Sequence, residues 1–280
     1  MVCQNHKHYQ NITLTSYAPS PLSLSKIQSH FAENTHNILD EVLIHQSVSS
    51  TNDELWQRQS DGKNTAAVCL SETQTAGRGR RGDQWHSPAS GNLYLSIMWP
   101  FPAETALNGL TIAIGISLIN TLKSSGINDL QLKWPNDVLY KRQKLAGILV
   151  ESRFGKQQNT VVGIGLNFEL PTATQQQIQQ ATTSLQQLCT EVPCRNELAG
   201  KIINTMIETL QHFQSHGLHD FISQWPQYDA LDNQAITLIN ESERTDAIAR
   251  GINEQGELRY QIGDEIHTLS NSHISIRFSS

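Results

Sequence analysis

The chain has 280 residues, with 20 Lys and Arg against 26 Asp and Glu, giving a net charge of −6. That length holds one large domain or one large and one small, and the acidic balance excludes a protein whose whole surface grips nucleic acid. The longest apolar-leaning run, Gly109 to Ile119, has 11 residues, whereas a membrane-spanning helix needs about 20.

Of the four cysteines, only Cys189 and Cys194 are close together, which is neither a zinc pattern nor a disulfide framework. No secretory signal is visible, so the expectation is a reduced, cytoplasmic chain with no membrane segment. Residues 1–21 are polar and irregular and read as a tail. Leu24, Ile27 and Phe31 predict a short helix from Ser23, and Val42–His45 a strand. Residues 66–73 and 92–99 read as strands separated by a Gly/Arg-rich loop. Leu107, Leu110, Ile114, Leu118 and Leu122 recur at helical spacing, predicting a helix over 105–122 that Gly126 ends. Three strands are expected at 130–134, 145–151 and 161–167, with short turns at Pro135–Asp137 and Lys141–Lys144. Links that short imply antiparallel pairing and rule out a purely parallel sheet. After a Gln-rich loop, Leu198, Ile202, Met206, Leu210 and Phe213 mark a helix over 197–216. From Asp232 onward short strands alternate with turns (235–239, 247–252, 257–261, 265–269 and 273–278), a unit too small to stand comfortably alone.

Four segments carry chemistry. Gly77-Arg-Gly-Arg-Arg-Gly82 matches G-x-G-x-x-G literally, but no helix follows and a dinucleotide turn needs no arginines. A cationic loop that closes over an anion fits better, since glycines allow motion and guanidinium groups fork onto phosphate or carboxylate; a solvated basic loop is the plain alternative. Lys133-Trp-Pro-Asn-Asp137 places a lysine at a strand end, where side chains point into site-building loops. Ser49-Ser50-Thr51-Asn52 is either a helix N-cap, a row of neutral groups facing a polar ligand, or both. Gly163-Ile-Gly-Leu-Asn167 puts glycines inside a strand, which marks close approach of a ligand or a helix. His212, His216 and His219 also fall at helical spacing, but the HExxH glutamate is missing and Gly217 interrupts them, so no metal site is assigned.

Together and in order, these segments resemble the biotin protein ligases. The matching residues are Ser50-Thr51-Asn52, Glu72 to Gly82, Trp85, Ser87-Pro88, Gly91 to Ser96, Lys133 to Asp137, Lys144 to Glu151 and Gly163 to Asn167. The resemblance runs from about Leu22 to Arg277. It implies an α+β fold, with a mixed or antiparallel sheet and flanking helices related to class II aminoacyl-tRNA synthetases. It also implies a tail over 1–21, a catalytic domain over 22–231 and an SH3-like barrel over 232–280. The implied activity is ATP- and Mg2+-dependent conversion of biotin to biotinyl-5′-AMP, then transfer to a lysine of a biotin carboxyl carrier domain of a carboxylase. Carried over by position, the biotin contacts are Ser50, Thr51, Asn52, Gln74, Arg78, Gly79, Arg80 and Lys133. Trp85 stands for the aromatic that stacks on adenine, Asn167 for a nucleotide-side residue and Arg277 for the barrel arginine associated with ATP. Lys133, Arg78 and Arg80 are the expected catalytic residues, with Arg81 closing over the site beside them. Asp83-Gln84 departs from the family, in which a more basic pair can precede the tryptophan. Only 49 residues precede Ser50, so the winged helix-turn-helix of repressor-type members, and DNA binding with it, is not expected. Homodimerisation through sheet edges is a further implication. Lipoate ligation, from a related fold, is the nearest rival activity.

Overall fold

The computed structural model describes residues 20–89, 91–240, 243–270 and 274–279. The expected tail, apart from Ser20 and Pro21, and His273 of the last expected strand lie outside them. The chain opens with α1 (Leu24–Gln28), α2 (Glu33–Ile38), β1 (Glu41–Val48), α3 (Thr51–Ser60) and β2 (Ala67–Gln74). After the arginine loop come β3 (Leu93–Phe101), α4 (Leu110–Ser124), β4 (Leu130–Lys133), β5 (Asp137–Tyr140), β6 (Gln143–Arg153) and β7 (Gln158–Leu166). Helices α5 (Thr172–Gln177), α6 (Leu185–Leu188), α7 (Arg195–His216) and α8 (His219–Ile222) follow. The chain ends in β8 (Ala235–Ile239), β9 (Arg244–Ile252), β10 (Leu258–Ile262), β11 (Glu265–Leu269) and β12 (Ser275–Phe278).

The first seven strands form one mixed sheet in the order β1-β2-β3-β7-β6-β5-β4. β1 and β2 run parallel because α3 crosses between them; every other pair in this sheet is antiparallel. Alternation along the strands sorts side chains to two faces. Val68, Leu70, Leu95, Ile97 and Val162 join the main core under α4 and α7, while Ala67, Cys69, Met98 and Val161 pack with Leu55 and Trp56 of α3. The exposed side of β4 is covered by residues 228–230, with Leu132 N–H donating to the Tyr228 carbonyl at 2.6 Å and Ala230 N–H to the Leu132 carbonyl at 3.1 Å. The last five strands form a second, antiparallel sheet in the order β11-β10-β9-β8-β12. It joins the first through buried Trp134, whose indole N–H donates to the Gly256 carbonyl at 2.9 Å. Among the described residues no helix is long and apolar enough to cross a membrane.

Three elements differ from expectation. α4 starts at Leu110 rather than Thr105, because Gly109 takes φ 78° and begins a new direction. Leu107 still packs on the core from the preceding turn, so its spacing mimicked a helix position. β5 is a separate strand of four residues, too short to show a period, and the second expected turn shrinks to Lys141–Arg142, both at positive φ. α2 carries only Thr35 as a buried residue and so left no apolar stripe to read.

Candidate active site

Strand pairing places one row of residues side by side across the large sheet. Tyr94 faces Gly165, Gly165 faces Gly147, Gly147 faces Asp137, and Asp137 faces Lys133. Paired residues share a face, so two adjacent glycines leave a trough in the middle of the row and Asp137 and Lys133 end it. A Cβ built on Gly165 would lie 2.4 Å from the Trp85 ring, and one on Gly147 2.8 Å from it. The indole therefore lies directly on the glycine floor, and the Lys144 ammonium stands 5.0 Å from its ring centre. Trp85 Nε1 is buried and finds no hydrogen-bond partner among the described residues, which leaves one donor for a ligand acceptor. Gly165→Val is expected to lift Trp85 off the floor, lowering stability by about 1–3 kcal/mol through overpacking. Intrinsic fluorescence, with Trp85→Phe as the subtraction control, reads the displacement; an unchanged Trp85 emission would count against this packing.

The cleft above the row has a volume of about 530 Å³, a size suited to a small ligand. One wall is the start of α3. Ser50 caps that helix by accepting from Asn52 N–H at 3.2 Å, so the cap reading holds, and Ser50 also lines the cleft. Gln74 on β2 accepts from Thr51 N–H at 2.8 Å and donates from Nε2 to Ser87 Oγ at 2.9 Å. Ser96 Oγ lies 2.6 Å from both Thr51 Oγ1 and Asn52 Oδ1, and Asn52 Nδ2 donates to Glu151 at 2.7 Å. The Asn52 amide is thus engaged at both ends inside the protein, and Gly163 makes room for it: a Cβ at that position would fall 2.5 Å from the amide oxygen.

The arginine loop forms the lid side of the cleft and is a closed hairpin. Trp85 N–H donates to the Gly77 carbonyl at 2.9 Å and Gly79 N–H to the Asp83 carbonyl at 2.7 Å. Its three arginines fan onto three walls. Arg78 pairs with Asp53 at 2.5 Å and with Glu151 at 3.4 Å, and the hydrogen bond it donates to Asp53 raises its pKa. Arg80 donates to the neutral Asn136 Oδ1 at 3.1 Å, and burial lowers its pKa. Arg81, whose backbone takes a φ of 61°, also lines the cleft and donates to Ser275 Oγ of β12, another lining residue, at 2.7 Å.

Lys133 borders this cleft, as the reading from sequence required. Desolvation brings its pKa down to about 8; Asp137 opposes the shift, while Arg277 and Lys144 reinforce it. The Asp137 carboxylate itself is bonded to the Lys144 ammonium at 2.7 Å. Arg78 and Lys144 are therefore already neutralised by carboxylates. Lys133, Arg80, Arg81 and Arg277 line the cleft without a salt bridge among the described residues, so they are the cations an anion would meet first.

Ser50, Thr51, Asn52, Gln74, Arg78, Gly79, Arg80, Trp85, Lys133 and Arg277 all line this one cleft. Asn167 does not: it is 5% exposed and its amide donates to the carbonyls of Lys144 and Thr183, at 3.4 and 3.1 Å. It pins the chain behind the cleft rather than facing it. Asp53, Ser96 and Glu151 escaped the sequence reading as site residues. Glu151 closed a matching motif, but nothing in its spacing reveals that it accepts from Asn52, Trp56 and Arg78 together.

The biotin/lipoate A/B protein ligase family model matches residues 44–167. The chain is 35% identical over 233 residues to the bifunctional ligase/repressor BirA of Escherichia coli (strain K12), covering 82% of this chain and 72% of that protein. The chain belongs to the biotin protein ligase family. It is also 33% identical over 241 residues to the biotin--[acetyl-CoA-carboxylase] ligase of Mycobacterium tuberculosis, covering 79% of this chain and 83% of that relative. The family fold is shared with a solved biotin protein ligase from Aquifex aeolicus in complex with biotin and ATP. The TM-score is 0.74 at 24% identity, over 86% of this chain and all of that one.

Proposed function

We propose that this family member is an ATP-dependent biotin protein ligase. It activates biotin to biotinyl-5′-AMP and passes the biotinyl group to a lysine of a biotin carboxyl carrier domain of the acetyl-CoA carboxylase type. The observation that carries the reading is the glycine-floored cleft bordered by four cations that make no salt bridge among the described residues, Lys133, Arg80, Arg81 and Arg277.

The first step joins two anions. A biotin carboxylate oxygen attacks the α-phosphorus of ATP, and the bond to pyrophosphate breaks. Two like charges about 4 Å apart repel by about 4 kcal/mol at an effective dielectric near 20. Lys133 and Arg80 offset that repulsion and hold the charge that builds on the phosphoryl oxygens; Arg277 meets the nucleotide side. Arg78, tied to Asp53 and Glu151, anchors the lid hairpin beside the start of α3. Ser50, Thr51, Asn52, Gln74 and Gly79 wall the part of the cleft that takes the neutral ureido ring, where each unpaired buried group costs about 1–3 kcal/mol. Trp85 offers its ring to adenine. In the second step a lysine amine attacks the acyl carbon of the adenylate, AMP leaves and the amine loses a proton.

Among the described residues two carboxylates line the cleft, Asp83 and Asp137, and Asp137 is engaged with Lys144. That sparse set suits a Mg2+ ion carried mainly on the nucleotide's own phosphates, with Asp83 or Asp137 as the carboxylate at hand. Such an ion would supply positive charge to offset that of the leaving pyrophosphate.

The same reading takes the large sheet as class II synthetase-like and the five-stranded unit over 232–280 as an SH3-like barrel. That assignment is supported by the mixed, mostly antiparallel order of the first and the short antiparallel strands of the second. A cytoplasmic setting belongs with it, since carrier domain and ATP are met there.

Incubation with ATP, Mg2+, biotin and a carrier domain, read by mass, tests the reading. A shift of one biotinyl group is expected, and lipoate should not compete for it; an unmodified carrier, or modification by lipoate instead, overturns it. Arg80→Ala removes the lid contact to Asn136, so the adenylate is expected to escape and label bystander proteins. Bystander labelling at the wild-type rate would sink the lid role of Arg80.

A further inference from the structure

Away from the cleft, α7 and α8 meet at a corner that gathers a second set of ligand-type side chains. Gly217 ends α7, and the chain doubles back so that Asp220 of α8, not His219, returns to the side of His212. The ligand atoms of His212, His216 and Asp220 all lie within 4.8 Å of one another. His212 Nε2 is 2.7 Å from Asp220 Oδ2. The two imidazoles are stacked, with centroids 4.4 Å apart and planes at 14°.

One contact sets the chemistry of the pair. His216 Nδ1 lies 3.2 Å from the His212 carbonyl oxygen. A carbonyl only accepts, so Nδ1 carries the proton and the Nε2 lone pair is left free, which is how metal-bound histidines are oriented by their outer contacts. Beneath them Phe221, 8% exposed, packs edge-on to His212 at 5.7 Å and anchors the short helix that carries Asp220.

We propose that His212, His216 and Asp220 bind one divalent transition-metal ion of the zinc type, with water as the fourth ligand. Two imidazoles and one carboxylate favour zinc, nickel or copper over magnesium or calcium. Tetrahedral zinc holds such donors at about 2.0–2.2 Å and so about 3.3 Å from one another. Closing to that spacing calls for side-chain rotation, for which all three residues, being partly or fully exposed, have room. The ion takes the place of the proton shared by His212 and Asp220 and clamps α8 to α7. The site stands apart from the biotin and ATP chemistry and does not rest on it.

The test is calorimetric titration of zinc chloride into the tag-free full chain after chelator treatment, with thermal unfolding in parallel. The wild type is expected to bind one zinc ion at this corner and to melt higher with it. His216→Ala and Asp220→Asn are each expected to weaken that binding by about tenfold or more and to remove the rise in melting temperature. Because the chain also carries His6 and His8, a His6→Ala/His8→Ala variant is run alongside and should bind as the wild type does. Absence of zinc binding, binding that survives both corner substitutions, or binding lost with His6 and His8 overturns the proposal. Unchanged pyrophosphate exchange in His216→Ala and Asp220→Asn shows that the variants are folded.

Discussion

Lys133→Ala is expected to lower biotin-dependent ATP–pyrophosphate exchange by about 10²–10³-fold or more, the size of effect seen when one preorganised charge-stabilising donor is removed. The circular dichroism spectrum should stay that of the wild type, because the side chain faces the cleft and its contact with the Phe278 ring is a loose one, at 5.8 Å. A near-normal exchange rate would remove Lys133 from the mechanism. Its pKa adds an independent readout. Held down to about 8 by desolvation, with Arg277 and Lys144 adding to the shift, the ammonium is present below that pH and lost above it. The kcat/KM profile should therefore fall on an alkaline limb near pH 8 that Lys133→Arg abolishes. In kcat the limb should move upward, because a bound carboxylate and phosphate favour the charged form. Stability responds in the opposite sense. A lysine whose folded pKa lies below its unfolded one costs the native state while charged, and that cost is relieved as pH rises from about 8 toward the unfolded value. Lys133→Met should accordingly melt no lower than the wild type at pH 7, a stability gain bought with activity.

Glu72→Ala is expected to cost about 3–5 kcal/mol of folding stability, the penalty of leaving a buried charge without its partner. The Arg195 side chain is 1% exposed and pairs with Glu72 at 2.8 Å. The same guanidinium donates to the carbonyls of Asn92 and Ser20, at 3.1 and 2.9 Å, while Glu72 also accepts from Leu22 N–H at 2.6 Å. The pair thus ties β2 to the start of α7 and to the chain entering α1. Urea denaturation should show a lower midpoint at an unchanged slope. Adding Arg195→Met should return part of the loss, since an unpaired cation is then no longer buried. A wild-type midpoint for Glu72→Ala would mean that the network contributes little.

Periodicity was enough to locate long elements. The inward stripe of Leu198, Ile202, Met206, Leu210 and Phe213 marks α7, and all five residues are buried in it. The alternating late strands fell where β8 and β11 lie. Short elements with little to bury were beyond its reach. β5 spans four residues and α2 buries only Thr35, and neither length fixes a period. Leu107 shows the converse error, an apolar residue at helical spacing that packs from a turn.

The motifs were legible as chemistry because residue types dictate what they can bond: lysine and arginine for anions, hydroxyls and amides for a neutral ring, glycine where something comes close. Which atoms remain available was decided by folding. Arg78 reads like Arg80 along the chain, yet Asp53 and Glu151 claim the first while the second meets a neutral amide. Asn167 belongs to a matching motif and still turns its amide onto backbone carbonyls.

The chain's order of residues determined its family, its long helices, its antiparallel leaning and the kinds of group at work. Strand register decided the rest, because Lys133, Gly147 and Gly165 meet only when three hairpins align them in one row. Pairing between distant segments is a property of the whole packed sheet, since a slip of one residue would send each side chain to the other face.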